Sequence, residues 1–260
     1  MSSRQDNRTG TGRQGPRPSS PPTLHGVDGS RRSAGARANQ EALREAVKAL
    51  IVDRGLRPGA PLPTETELMS ELGVSRHPLR EAMKALEAVG IVDIRHGYGT
   101  YVGAVPMSAL EAGLAFRGAL SVRGDFADMR DLLEVREVME TGLVPRVLAA
   151  YDDLDLTTLN DAVTAMERAA ARGRYAPEED WHFHEALYRP LNNALVLDLL
   201  QVFWRVFQEL DDDLPRADTT PETTAAWHRA ILEALRRKDE PAVRAAVDDH
   251  FRGIRARVTP

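Results

Sequence analysis

The chain has 260 residues, 42% hydrophobic, 28% charged and only 5% aromatic, a balance that suits a helix-rich soluble chain of one or two domains. It has no cysteine, which excludes disulfides, thiolate nucleophiles and thiolate metal ligands. The net charge of −5 hides an asymmetry, with seven Arg against two Asp in residues 1–38, near balance in 39–105 and an acidic excess beyond, so any nucleic-acid partner must be met by locally placed positive charge.

Residues 1–38 are rich in Arg, Ser, Gly and Pro and carry no periodicity. They predict a disordered basic tail, either solvated or in nonspecific contact with phosphates. They lack the apolar core of a secretory signal, and no apolar run approaches the roughly 18–20 residues of a membrane helix. No membrane association and a cytoplasmic setting are expected.

Order is predicted from Asn39. Leu43, Val47, Leu50 and Ile51 recur at helical spacing, and Gly55 and Pro58-Gly59 end that helix. Thr64 begins a second helix, and Glu67 three residues on completes a capping-box pattern. Gly73 stops it, Ser75 caps a third helix, and Pro78 is tolerated in the first turn of that helix. After Gly90, IVDIR and TYV read as short strands around the Gly-rich turn HGYG. From Met107 onward only helices are predicted, over 107–120, 125–150, 156–172, 177–189, 193–210, 221–237 and 241–257. The division is a tail over 1–38, a small domain over 39–104 and an all-helical domain over 105–260.

On the third helix Leu79, Ala82, Met83 and Leu86 form the core face. Arg76, Arg80 and Lys84, each four residues from the next, form a separate basic stripe. Neither arginine has an acidic partner four residues away on its own helix. Arg76 lies in the first turn, where a recognition helix presents side chains to the major groove. A guanidinium fork can bond guanine O6 and N7 together. Ser75 and the helix N-terminus suit phosphate, and His77 lies beside them. The turn His96-Gly97-Tyr98-Gly99 is similar to a wing that reaches the backbone or minor groove. The alternative is a solvated basic face.

The stretch LPTETELMSELGVSRHPLREAMKALEAVGIVDIRHGYGTYV strongly resembles the winged helix-turn-helix of GntR-type bacterial transcription regulators, over nearly all of residues 40–103. The resemblance implies three helices and a two-stranded wing, base reading by Arg76 and Arg80, and a DNA contact from His96 with Gly97 in the wing. The family commonly has arginine where this chain has Thr66, so Thr66 is expected to bond phosphate instead.

A second constellation lies in the helical domain. DWHFH places Asp180 and His184 four apart, about 6 Å along one helix face, with His182 pointing elsewhere. His228 and His250 are each eleven residues from Asp239, so they lie level across an antiparallel helical hairpin. One carboxylate and three imidazoles suit a divalent ion such as Zn, Ni, Mn or Fe. An Asp–His pair alone is more often a surface pair. Trp204 and Phe207 line a cavity or belong to the core.

Residues from about 107 to 257 look like the FCD ligand-binding domain of the FadR subfamily, a bundle of six or seven helices, with Asp180, His184, His228 and His250 filling its four metal positions. The resemblance implies that Arg136 binds an effector carboxylate. The alternative for Arg136 is a salt bridge with Glu140, four residues on.

The expected function is a homodimeric transcription regulator on a double-stranded DNA operator, a repressor released by a small organic acid bound beside the metal. One alternative is a metal-dependent enzyme on a small acid with an appended DNA-binding domain, conscripting His182 or Glu185 as a base. The other is a regulator with a purely structural metal.

Overall fold

A computed structural model describes residues 27–216 and 219–259, with side-chain surroundings from Ala38 onward. The expected disordered tail falls over residues 1–26 outside the described residues. From Val27 the chain is helical, so the first helix, α1 (Val27–Asp53), starts before the expected onset at Asn39. Arg31, Arg32, Ala34, Ala36, Arg37 and Ala38 are good helix formers. No proline interrupts the run, so a helix anchored by its buried C-terminal half extends outward despite Gly29 and Gly35.

Helix α2 (Glu65–Leu72) has the predicted capping box, with Thr64 accepting from the Glu67 amide while the Glu67 carboxylate accepts from the Thr64 amide. It ends at Gly73, whose φ of 65° is the left-handed conformation that favours glycine. Helix α3 (Arg76–Ala88) buries Leu79, Ala82, Met83 and Leu86, as the spacing requires. Strands β1 (Val92–Arg95) and β2 (Gly99–Val102) pair antiparallel, from Val92 opposite Val102 to Arg95 opposite Gly99. Val47, Leu50, Leu62, Leu68, Leu79, Met83, Leu86, Val92 and Val102 form one core, so every element of the small unit contributes to it.

Beyond the wing the chain makes α4 (Ser108–Ser121), α5 (Ala127–Ala149), α6 (Leu156–Ala170), α7 (Pro177–Tyr188), α8 (Ala194–Glu209), α9 (Pro221–Arg236), α10 (Glu240–His250) and α11 (Arg252–Val258). Among the described residues these are eight helices rather than six or seven. The final predicted segment breaks at Phe251, which sits between α10 and α11. Asp155, Asn193, Thr220 and Asp239 cap four helix N-termini through their side-chain oxygens. These helices share a second core that runs from Ala115 to Val258 and includes Phe183, Leu187, Phe203, Phe207, Ile231 and Phe251. Phe207 is therefore a core residue. Among the described residues no helix is long and apolar enough to cross a membrane.

Helix α5 runs through Pro145 without ending. Proline has no amide hydrogen for the carbonyl four residues back, that of Thr141. Arg244 of α10 fills the gap, its Nη1 donating to the Thr141 carbonyl at 3.1 Å.

Candidate nucleic-acid interface and metal centre

The basic stripe of α3 is exposed, with Arg76 60%, Arg80 58% and Lys84 68% accessible. Neither arginine is unpartnered, however. Glu65 in the first turn of α2 accepts from Arg80 Nε at 2.7 Å and Nη2 at 3.1 Å, and lies 3.6 Å from Arg76 Nε. The partner comes from across the helix-turn-helix, so spacing along α3 could not reveal it. The Arg80 guanidinium holds the Glu65 carboxyl below its ordinary range. Lys84 pairs with Glu81 at 3.2 Å.

Ser75 occupies the N-cap position of α3, but its side chain makes no capping hydrogen bond. Its hydroxyl therefore remains available to an outside acceptor. His77 and Thr66 are exposed on the same unit. His96 and Gly97 are exposed in the wing turn, and Tyr98 at its tip is 82% accessible. Two contacts stiffen the wing: Arg95 stacks 4.2 Å from the Tyr101 ring centroid, and Tyr101 Oη donates to the Tyr98 carbonyl.

In the helical unit, α7, α9 and α10 bring His184, His228 and His250 together, with one ring nitrogen of each inside a 4.8 Å cluster. The rings of His228 and His250 lie 5.4 Å apart, the level placement that a hairpin centred on Asp239 predicts. Asp180 is not part of that 4.8 Å group; it meets the cluster at His228 alone, with its Oδ1 2.9 Å from His228 Nε2. His182 is exposed and faces Glu179, away from the cluster.

Two of the three imidazoles are oriented by backbone carbonyls. His228 Nδ1 faces the Thr224 carbonyl at 2.9 Å and His250 Nδ1 the Val247 carbonyl at 2.9 Å. A proton on Nδ1 in each case leaves Nε2 as a lone-pair donor toward the cluster. His184 Nδ1 lies 3.1 Å from Glu140 Oε2. Both nitrogens of His184 and Nε2 of His228 are buried without an aligned hydrogen-bond partner. The Asp180–His228 and Glu140–His184 approaches are thus short in distance but off the hydrogen-bond direction. Orphaned lone pairs of this kind are costly in an interior unless something accepts them. Three imidazoles and a carboxylate are the donor set that a divalent transition ion takes.

The charges around the cluster are strongly coupled. Burial would raise the Asp180 carboxyl, but the adjacent His228 outweighs it and holds Asp180 well below the carboxylate range. Burial alone would lower His228, and the Asp180 carboxylate reverses that to a net rise. His250 has less carboxylate help, and burial with the neighbouring His184 pushes it down to about 3.

Arg136 of α5 is buried and donates through Nε to Glu140 at 2.7 Å, so the i,i+4 salt bridge is present. Among the described residues its terminal nitrogens make no hydrogen bond. Glu140 is 1% accessible and also accepts from Tyr188 Oη at 3.0 Å. Trp204 Nε1 donates to Asp180 Oδ2 at 2.9 Å. Sequence alone misses Tyr188, although it continues the α7 face of Asp180 and His184 four residues on, and the polar role of Trp204, which reaches Asp180 from another helix with no spacing signature.

A small three-helix unit with an antiparallel wing, followed by an all-helical unit, defines a winged helix-turn-helix DNA-binding protein with a helical C-terminal domain. Residues 39–102 match the bacterial regulatory proteins of the gntR family, and residues 131–253 match the FCD domain. The chain is 30% identical over 217 residues to an uncharacterized HTH-type transcriptional regulator, YdhC, of Bacillus subtilis, covering 79% of this chain and 84% of that one. It is 25% identical over 228 residues to the HTH-type transcriptional repressor NanR of Cronobacter sakazakii, covering 86% of each. The solved Streptococcus agalactiae GntR superimposes with a TM-score of 0.55 at 27% identity, over 83% of this chain and 98% of that one. The chain belongs to the GntR family and is a DNA-binding transcription regulator with a C-terminal FCD domain. These relatives are regulators and not enzymes, which sets aside the reading of the histidine cluster as a catalytic centre.

Proposed function

We propose that this regulator represses transcription as a homodimer and is released from its operator by a small organic acid bound beside a divalent metal in the FCD domain. Arg76 and Arg80 read base edges. Thr66, Ser75, His77 and Lys84 meet phosphates, and His96 and Gly97 bring the wing to the duplex. Two copies bind a pseudopalindromic site whose symmetry mirrors the protein two-fold. The name of the NanR relative supports the repressor direction.

The observation that carries the ligand half is the buried cluster of His184, His228 and His250, with unpartnered nitrogens, built against Asp180 and next to Arg136. Asp180, His184, His228 and His250 would hold Zn, Ni, Mn or Fe(II). The bound ion supplies Lewis acidity for a carboxylate oxygen. Arg136, tied to Glu140 by Nε only, keeps its terminal nitrogens for a charge-assisted bond to the same acid. The acid shifts the DNA-binding equilibrium only through a difference in affinity between the operator-bound and free conformations.

A thermal-shift screen of small carboxylates on metal-loaded protein, with His228→Ala and Arg136→Ala in parallel, tests this. An acid that raises the melting temperature of the wild type alone, and lowers operator affinity, is the expected result. Stabilisation by metal with no acid altering DNA affinity overturns it in favour of a structural ion.

A further inference from the structure

The proposed centre contains its own carboxylate, and that carboxylate changes what it can bind. Glu140 is sealed from solvent and sits between the two halves of the site. One oxygen takes Arg136 Nε at 2.7 Å. The other takes Tyr188 Oη at 3.0 Å and lies 3.1 Å from His184 Nδ1. Paired with a guanidinium that does not deprotonate, Glu140 is an anion. Asp180, beside His228 and bonded by Trp204, is a second.

The charge at the centre can be counted from these groups. Arg136 contributes one positive charge, and Glu140 and Asp180 one negative charge each. Imidazoles that ligate a metal are neutral. A divalent ion adds two, leaving the loaded centre with a single net positive charge. An interior of low dielectric penalises any charge left unbalanced. One carboxylate brings the centre to neutrality, and a second overshoots it.

We propose that Glu140 sets the effector class, so that the metal-loaded FCD centre selects monocarboxylates over dicarboxylates of the same carbon skeleton. Resting on the metal and Arg136 reading above, this narrows the acid from any small carboxylate to a monoanion. Glu140 is a specificity-determining residue that acts through charge and through its hold on Arg136, not through contact with the acid.

The test uses cobalt(II)-loaded full-length protein, whose visible spectrum reports ligands entering the metal sphere. Matched pairs are titrated: butyrate against succinate, 2-hydroxybutyrate against malate, gluconate against glucarate. The wild type is expected to bind the better monoanions about tenfold or more tightly than their dianion partners. Glu140→Gln preserves shape and adds one net positive charge, so the preference should collapse or reverse while cobalt remains bound at the same stoichiometry. Tighter binding of the dianion by the wild type overturns the proposal without need of the variant. An unchanged ratio in a folded, cobalt-loaded Glu140→Gln protein overturns it too. Two further outcomes remove the reading beneath it and the charge rule together, and they are told apart by the spectrum. Absence of a cobalt signal means no metal centre. A cobalt signal that no acid perturbs means no carboxylate site.

Discussion

Glu65 grips Arg80 through two nitrogens, Nε at 2.7 Å and Nη2 at 3.1 Å, and so ties α3, the proposed reading helix, to α2. A long arginine held in one orientation loses less freedom on meeting a base edge. A carboxylate beside it also repels phosphate and discourages nonspecific docking. Arg80→Ala should abolish binding to an operator selected by the wild type from random duplexes, with the melting temperature unchanged. Glu65→Gln should raise affinity for scrambled DNA and lower the ratio of specific to nonspecific affinity. Fluorescence anisotropy measures both, and equal affinity of Glu65→Gln and wild type for scrambled DNA would exclude the screening role.

Arg244 and Pro145 form a compensating pair, since the carbonyl of Thr141 that Pro145 cannot serve is served by Arg244 at 3.1 Å. Removing a donor and leaving that carbonyl unbonded costs about 1 kcal/mol. Arg244→Ala should therefore lower stability in denaturant titrations by about that amount. Pro145→Ala restores an amide to the same carbonyl and should make the Arg244→Ala loss smaller when the two are combined. Strictly additive effects would show that the two residues do not share the Thr141 carbonyl.

What the chain reveals by itself depends on whether a partner lies along one helix or across two. The core face of α3, the capping box at Thr64 and the level placing of His228 and His250 all follow from fixed spacings on one helix or one hairpin. The grip of Glu65 on Arg80 and the bond from Trp204 to Asp180 join residues 15 and 24 positions apart on different helices, and no local period encodes them. Ser75 shows the opposite limit. Its type and place predict a cap, yet its side chain makes no bond to the helix, so residue identity fixed the position but not the partner. The break at Phe251 is illegible because Phe251 keeps a right-handed helical backbone and the nearby Gly253 falls inside α11 rather than at the break.

Trp204 presents the same logic at the proposed metal centre. Its indole donates to Asp180 Oδ2 at 2.9 Å and thereby leaves Oδ1 facing His228 and the cluster. Partners that orient metal ligands typically change affinity about 10–100-fold when removed. Trp204→Phe keeps the ring and deletes the donor, so zinc affinity by calorimetry should fall within that range while the metal-free protein melts as before. An unchanged zinc affinity would mean that Asp180 needs no orienting donor.

Two glycines separate close packing from open space. A Cβ on Gly103, just after β2, would stand 2.0 Å from the Gly90 carbonyl oxygen, in the segment where Gly103 N bonds the Ile91 carbonyl at 2.9 Å and Val105 N bonds that of Gly90 at 3.0 Å. Backbone atoms on both sides leave nothing flexible to yield, so Gly103→Ala must distort the exit from the wing. Gly113, inside α4, meets nothing within 4 Å, and there alanine removes only the entropic cost of glycine in a helix. Gly113→Ala should be neutral or stabilising by up to about 1 kcal/mol. Gly103→Ala should lower the melting temperature and weaken operator binding together, because the distortion falls on the strand that carries the wing. If the two substitutions shifted stability alike, the contact between Gly103 and the Gly90 carbonyl would not be as close as the backbone places it.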